Sequence, residues 1–214
     1  MVTIDELVVA DAPEAWRALG FAVEGEQCAV GTTRVRLEGP GAGRGILSWS
    51  LRAPEAPLDG LPTASRRAPE VPLDGLPTTA SRRPPPAPAA HPNGTTHLDH
   101  VVVSSPDFDR TAAAFAGAGL DLRRVREAGD PQRPFRQGFY RLGEVILELV
   151  EDRGGGPGPA RFWGLVFVTP ALDALPEGLV KAPRDAVQPG RRIATVRREA
   201  GLSAAAAFMS PPPA

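Results

Sequence analysis

The order in which apolar and polar positions alternate along the chain changes in a way that repeats. Residues 98–104 (LDHVVVS) are a β-branched run of strand type, broken by Pro106 and Asp107. Phe108, Ala112 and Phe115 then fall at helical spacing in an alanine-rich stretch closed by Gly117 and Gly119, which predicts a helix over Phe108–Gly117. Strand-like runs follow at 120–126, 136–142 and 145–151, and Gly143-Glu144 links the last two as a tight hairpin turn would. The segment thus reads βαβββ.

The same order is legible, less sharply, on either side. Upstream, 4–10 reads as a strand, 13–19 (PEAWRAL) as a short helix stopped by Gly20, and 21–24, 32–37 and 46–51 as strands. Downstream of GGGPGP, 163–169 reads as a strand, 171–179 as a helical turn, and 182–188, 192–198 and 205–209 as strands. These runs predict an α+β fold of three βαβββ units, at 1–52, 97–152 and 161–212.

Between the first two units the periodicity stops. Residues 53–67 read APEAPLDGLPTASRR and 68–83 read APEVPLDGLPTTASRR, followed by a proline-rich stretch. Proline removes backbone donors and restricts the residue before it, so 53–96 is expected to be a flexible linker that forms no ladder. The duplication reads as a tolerated slippage in a loop rather than a solenoid.

Composition narrows the classes. A formal net charge of −1 over 214 residues gives no long-range reason to expect nucleic acid or an anionic membrane as partner. One cysteine, Cys28, allows no internal disulfide and suits a reducing compartment. The amino terminus lacks the basic and apolar regions of a signal peptide, and no apolar run approaches the length that spans a bilayer, so a cytoplasmic protein is expected.

The middle unit resembles a module of the vicinal oxygen chelate superfamily, the glyoxalase, bleomycin-resistance and extradiol dioxygenase group. The resemblance rests on LDHVVVSSPDFDRTAAAFAGAGL followed by FYRLGEVILELVE. It implies a glyoxalase-like architecture in which paired βαβββ modules form a cupped sheet with a metal inside, each module giving one ligand from its first strand and one from its last. Carried onto this sequence, His100 takes the first-strand position and Glu148 the last-strand position. Alternation supports this independently: Glu148 shares a face with Ile146 and Val150, and a carboxylate in an apolar strand needs a partner.

The third unit departs from the pattern. Gly164 stands where the resemblance implies a histidine and Ala207 where it implies a glutamate. Two protein ligands fall short of the three that catalytic sites usually supply. Further ligands are sought at Glu6, in the histidine position of the first unit, at His91 or His97, or on a partner chain such as a second copy in a homodimer. His91 and His97 read as solvated linker residues.

His100 and Glu148 are therefore the candidate metal ligands and also the candidate catalytic pair, with Glu148 as proton acceptor and His100 as its orienting partner. Gly164 and Ala207 would enlarge the cup and favour a small-molecule ligand, with Trp163, Phe167, Phe139, Tyr140 and Met209 available to line it. The arginines at 123, 124, 126, 191, 192, 197 and 198 read as a solvated face or a guarded edge, with anion recognition as the sharper alternative. The resemblance implies a divalent metal (Zn, Fe, Mn or Ni), and the missing ligands imply none. Three readings stay open: a small-molecule protein with an incomplete metal site, a metal-dependent lyase, isomerase or dioxygenase, and a metal-free sequestering protein of the resistance type.

Overall fold

The computed structural model describes residues 1–52, 71–154 and 156–213. In chain order the elements are β1 (Thr3–Val9), α1 (Pro13–Ala18), β2 (Gln27–Val30), β3 (Thr33–Leu37), β4 (Ile46–Arg52), β5 (Val71–Leu73), β6 (Leu76–Ser81), β7 (His97–Ser105), α2 (Phe108–Gly117), β8 (Leu122–Asp130), β9 (Arg133–Leu142), β10 (Val145–Glu151), β11 (Arg161–Val168), β12 (Arg184–Asp185), β13 (Arg192–Thr195) and β14 (Ala205–Met209). The strands form two mixed sheets, of six and eight strands, and the architecture is α+β and glyoxalase-like. The chain divides into two compact units: Met1–Asp5, Ser48–Pro84 and His100–Trp163 in the first, and Glu6–Leu47, Pro85–Asp99 and Gly164–Ala214 in the second.

The first unit holds the strand orders β7-β10-β9-β8 and β4-β6-β5. Strand β10 runs parallel to β7 and antiparallel to β9, and β9 is antiparallel to β8. Helix α2 starts where predicted because the Asp107 carboxylate accepts the Arg110 backbone N–H at 3.0 Å, a side-chain cap on an otherwise unpaired donor. Its Phe115 packs edge-on against Tyr140 at 5.3 Å between ring centres. Val145, Leu147 and Leu149 are buried, while Ile146, Glu148 and Val150 alternate onto the other face. Arg136 clamps this packing: it lies 4.4 Å from the centre of the Phe108 ring and donates to Asp109 at 2.8 Å and Glu151 at 3.3 Å.

The stretch expected to be a linker without a ladder is corrected over residues 71–81. There β5 and β6 form a hairpin, and β6 runs parallel to β4 from Trp49↔Thr78 to Arg52↔Ser81. The prolines do not prevent this. Pro72 sits on the outermost strand opposite Pro77, and the β4 ladder begins at Thr78, beyond both. Asp74 and Gly75 make the turn with φ of 48° and 93°, the left-handed pair that a two-residue hairpin requires. The hairpin is anchored at both ends. Asp74 accepts from Arg110 at 2.7 Å and from the Thr111 hydroxyl, and Trp49 Nε1 donates to Thr78 Oγ1 at 2.7 Å. Consequently β4 does not close the first βαβββ unit; β3 does that by running parallel to β1. The first repeat copy, residues 53–67, lies outside the described residues.

The second unit holds β2-β3-β1 and β12-β13-β14-β11. Its core is aromatic: Phe21 lies 4.8 Å from Trp16, 4.9 Å from Phe167 and 5.7 Å from Phe208. This explains why 21–24 is not a strand; Phe21 turns inward, and β2 begins only at Gln27. The helical turn expected at 171–179 shrinks to a 3-10 turn at Leu172–Ala174, and the strand at 182–188 to Arg184–Asp185.

His91 belongs to this packed region and not to a solvated linker. Its Nδ1 accepts the Ala22 N–H at 3.0 Å and its Nε2 lies 2.9 Å from the Ala29 carbonyl. The first contact demands an unprotonated Nδ1, so the proton sits on Nε2 and the ring is neutral. Burial holds its pKa below the ordinary 6.5, and the Ala29 carbonyl opposes that only in part. Asn93, also buried, donates from its side chain to the Leu19 carbonyl at 2.9 Å.

Candidate functional site

The strand registers of the first unit lay side chains in rows across β7, β10, β9 and β8. Residues paired directly opposite point to the same face. One row is His100, Ile146 and Arg141; the next is Val102, Glu148, Phe139 and Arg124; the next is Ser104, Val150, Gln137 and Arg126. All lie on the face away from α2, since Leu147 and Tyr140 occupy the helix side.

Four polar groups connect through these rows, Arg126 and Gln137 directly opposite each other and the remaining links diagonal. Arg126 Nε donates to Gln137 Oε1 at 2.6 Å. Gln137 Nε2 donates to Glu148 Oε1 at 2.5 Å. Glu148 Oε2 lies 3.6 Å from His100 Nε2, an ion-pair distance rather than a hydrogen bond. The side chains of His100 and Glu148 are 11% and 14% exposed, so both are largely shielded yet reachable. Arg126 also lies 5.5 Å from the centre of the Phe139 ring. Each of β8, β9, β10 and β7 therefore contributes one member of a continuous polar chain.

Sequence reasoning placed His100 and Glu148 together, and they are together. It missed Gln137 and read Arg126 only as part of a solvated or anion-recognising face. The signal was available in the hairpin register: with β9 and β10 joined by Gly143-Glu144, Gln137 falls two residues beyond the position opposite Glu148 and on its face.

The other sequence candidates lie elsewhere. Of the five expected lining residues, Phe139 shares the face of Glu148. Tyr140 does not: it is buried against Phe115, where burial pushes its phenol up to about 12. Trp163 is 57% exposed. Phe167 and Met209 are core residues of the second unit, Phe167 among aromatic rings and Met209 beside Val166, Ala207 and Ile193. Gly164 opens no space: a Cβ there would stand 2.6 Å from the Ala205 carbonyl oxygen, so close backbone approach fills the place. Glu6 accepts from Arg36 Nε at 3.4 Å within the second unit. The Thr96 hydroxyl lies 2.9 Å from His97 Nδ1. Cys28 is buried, its thiol pushed up to about 12 by desolvation, which makes it a poor nucleophile.

A resident divalent ion needs more donors than this site presents. Among the described residues no group of three or more His, Cys, Asp or Glu side chains converges. At Glu148, one carboxylate oxygen is already taken by an N–H donor, which cannot ligate. The donor set of one imidazole and one partly occupied carboxylate does not fit a catalytic ion, which usually has three protein ligands. A groove of about 250 Å³ in the second unit, lined by Val196, Arg197, Arg198 and 202–206, carries no carboxylate or imidazole.

Comparison with solved structures agrees with the topology. No family model matches the sequence, and no curated protein matches it. Among solved structures, a triple mutant of 4-hydroxymandelate synthase from Streptomyces coelicolor superposes with a TM-score of 0.62 at 13% identity, covering 99% of this chain and 93% of that one. The chain has the vicinal oxygen chelate fold. A methylmalonyl-CoA epimerase from Mycobacterium tuberculosis matches with a TM-score of 0.43 at 18% identity, over 56% of this chain and 91% of that one. What the vicinal oxygen chelate fold contributes here is the parallel pairing of a first and a last strand, β7 with β10, which brings His100 beside Glu148. At these identities the likeness is one of fold, and function has to be argued from the site.

Proposed function

We propose that the face carrying His100, Glu148, Gln137 and Phe139 takes a small organic molecule, and that Glu148 exchanges a proton with it without a resident metal. The observation that carries this reading is the approach of the Glu148 carboxylate to the His100 imidazole, 3.6 Å apart on one face and both largely shielded. Gln137 donates to one carboxylate oxygen, and the other faces the His100 imidazole. A carboxylate so held is suited to accept a proton, with the imidazole beside it as its orienting partner, as general acid–base catalysis requires. Phe139 offers an apolar ring next to the acceptor, suited to the body of a small molecule whose polar end reaches Glu148. The setting is cytoplasmic in this reading; no helix among the described residues is long and apolar enough to cross a membrane.

Two measurements test it. Protein expressed in medium replete in Zn, Fe, Mn and Ni is expected to carry far less than one equivalent of any of them by elemental analysis; a full equivalent that is lost in His100→Ala would overturn the metal-free part. A thermal-shift screen of small aromatic and aliphatic carboxylic acids and phenols is expected to give hits that stabilise the wild type and lose their effect in Glu148→Gln. Hits that stabilise both proteins equally would place the ligand elsewhere.

A further inference from the structure

The chain of donors leading to Glu148 has a direction, and the direction has a chemical consequence. A guanidinium only donates. Because Arg126 Nε donates at 2.6 Å, the Gln137 atom facing it is the amide oxygen. The amide nitrogen is then left facing Glu148, where it donates at 2.5 Å. The reverse orientation would set NH₂ against the guanidinium N–H, two donors facing each other. The assignment of oxygen and nitrogen in this glutamine is fixed by its neighbour rather than free to flip.

A glutamine carbonyl oxygen is itself a metal donor, and at this position it would stand beside Glu148, on the side away from His100. Arg126 turns that oxygen away and presents a donor instead. We infer that the Arg126–Gln137 pair takes the place of a cation at Glu148: it compensates the carboxylate through a polarised amide and keeps the neighbouring amide oxygen turned away from it. The inference rests on the reading of this face as the working site. It accounts for how a fold that elsewhere brings ligands together can hold a shielded glutamate here with a hydrogen-bond donor in place of an ion.

The arrangement is a two-part lock, and each part can be removed separately. Arg126→Leu frees the amide to turn its oxygen toward Glu148. Gln137→His removes the amide and supplies a nitrogen ligand outright. Co²⁺ is the probe, titrated into the purified full-length protein and followed by visible absorption and equilibrium dialysis. Wild type is expected to show only weak, Glu148-independent association. Gln137→His is expected to bind one Co²⁺ on the order of tenfold tighter or more, and the gain is expected to vanish in Gln137→His/Glu148→Gln. Arg126→Leu, a change at a half-buried side chain on the outermost of the four strands, is expected to show a smaller gain in the same direction and keeps the test open if the histidine variant fails to fold. The inference is overturned if wild type binds one equivalent as tightly as Gln137→His in a Glu148-dependent way, or if neither folded variant exceeds wild type. These outcomes separate from the functional reading: a Glu148-dependent ligand with no metal gain in either variant defeats the lock alone, whereas metal gain without any Glu148-dependent ligand defeats the reading alone.

Discussion

The same parallel two-strand frame recurs along the described chain, and two of its instances hold different chemistry. In the second unit β1 runs parallel to β3 with Glu6 opposite Arg34 and Val8 opposite Arg36. In the first unit β7 runs parallel to β10 with His100 opposite Ile146 and Val102 opposite Glu148. The diagonal pairs Glu6–Arg36 and His100–Glu148 therefore occupy equivalent places, at 3.4 Å and 3.6 Å. One pair joins a carboxylate to a guanidinium that keeps its charge at every pH a protein survives, and Arg36 also pairs with Glu38. The other joins a carboxylate to an imidazole, the side chain whose type changes charge near neutrality. The frame supplies proximity in both; the residue types decide whether the carboxylate faces a fixed charge or an imidazole.

The residue before each of these first-strand positions is also shared. Asp5 precedes Glu6 and Asp99 precedes His100, and both are buried. Asp5 takes hydrogen bonds from Arg52 at 2.5 Å, Ser81 at 2.5 Å and Arg83 at 2.8 Å; Asp99 takes one from Arg191 at 2.6 Å. Burial alone would raise the Asp5 pKa, but the Ser81 hydroxyl and the charges of Arg83 and Arg52 outweigh it and hold it below the ordinary 3.8. Structural ion pairs and a candidate working pair thus alternate along a strand. This separates two uses of a carboxylate that composition alone cannot distinguish.

The comparison breaks most visibly in chemistry. If a hit from the ligand screen carries an acidic C–H, Glu148→Gln is expected to slow its deuterium exchange with solvent, followed by proton NMR, by about 10²- to 10⁴-fold, while Arg36→Gln leaves the exchange unchanged. Equal losses in both would erase the distinction between the pairs. Next in size is Asp5→Ala, which strands the buried Arg52 and is expected to cost about 3–5 kcal/mol in urea unfolding. Because the folded pKa of Asp5 is depressed, its contribution is fully present above the unfolded value of 3.8 and is lost as pH falls below it toward the folded pKa.

The two shielded imidazoles sharpen the point further. His91→Ala leaves the Ala22 N–H and the Ala29 carbonyl without their ring partner and is expected to cost about 2 kcal/mol. Its folded pKa is also depressed, so the stability it supplies is complete above 6.5 and declines as pH falls from there; a denaturation series from pH 8 to pH 5 should be flatter in the variant. The smallest effect belongs to Glu6→Gln. The partner Arg36 is 37% exposed, and the pair is expected to contribute under about 1 kcal/mol, less at high salt.

Much of this was legible before any coordinates. Helix α2 and strands β10 and β14 fall on their predicted bounds, because an N-cap aspartate, closing glycines and strict period-two alternation are local signals. The shared location of His100 and Glu148 followed from the resemblance and from alternation together. The β5–β6 hairpin departs from the linker expectation because the Asp-Gly turn that the repeat displays openly prevails over its proline content. Its prolines are harmless only through where the neighbouring strands lie, which no window of sequence contains.

What the sequence determined by itself was the period of strands such as β10 and β14, the bounds of α2, and the supply of one imidazole and one carboxylate on the inner strands of a single unit, since these depend on residues a few positions apart. Tertiary structure alone decided which face Tyr140 and Phe139 take, that Gly164 is closed by the Ala205 backbone, and that Gln137 turns its nitrogen to Glu148 because Arg126 claims its oxygen. Those outcomes depend on register between strands and on the direction of hydrogen bonds, which exist only once separate segments are brought side by side.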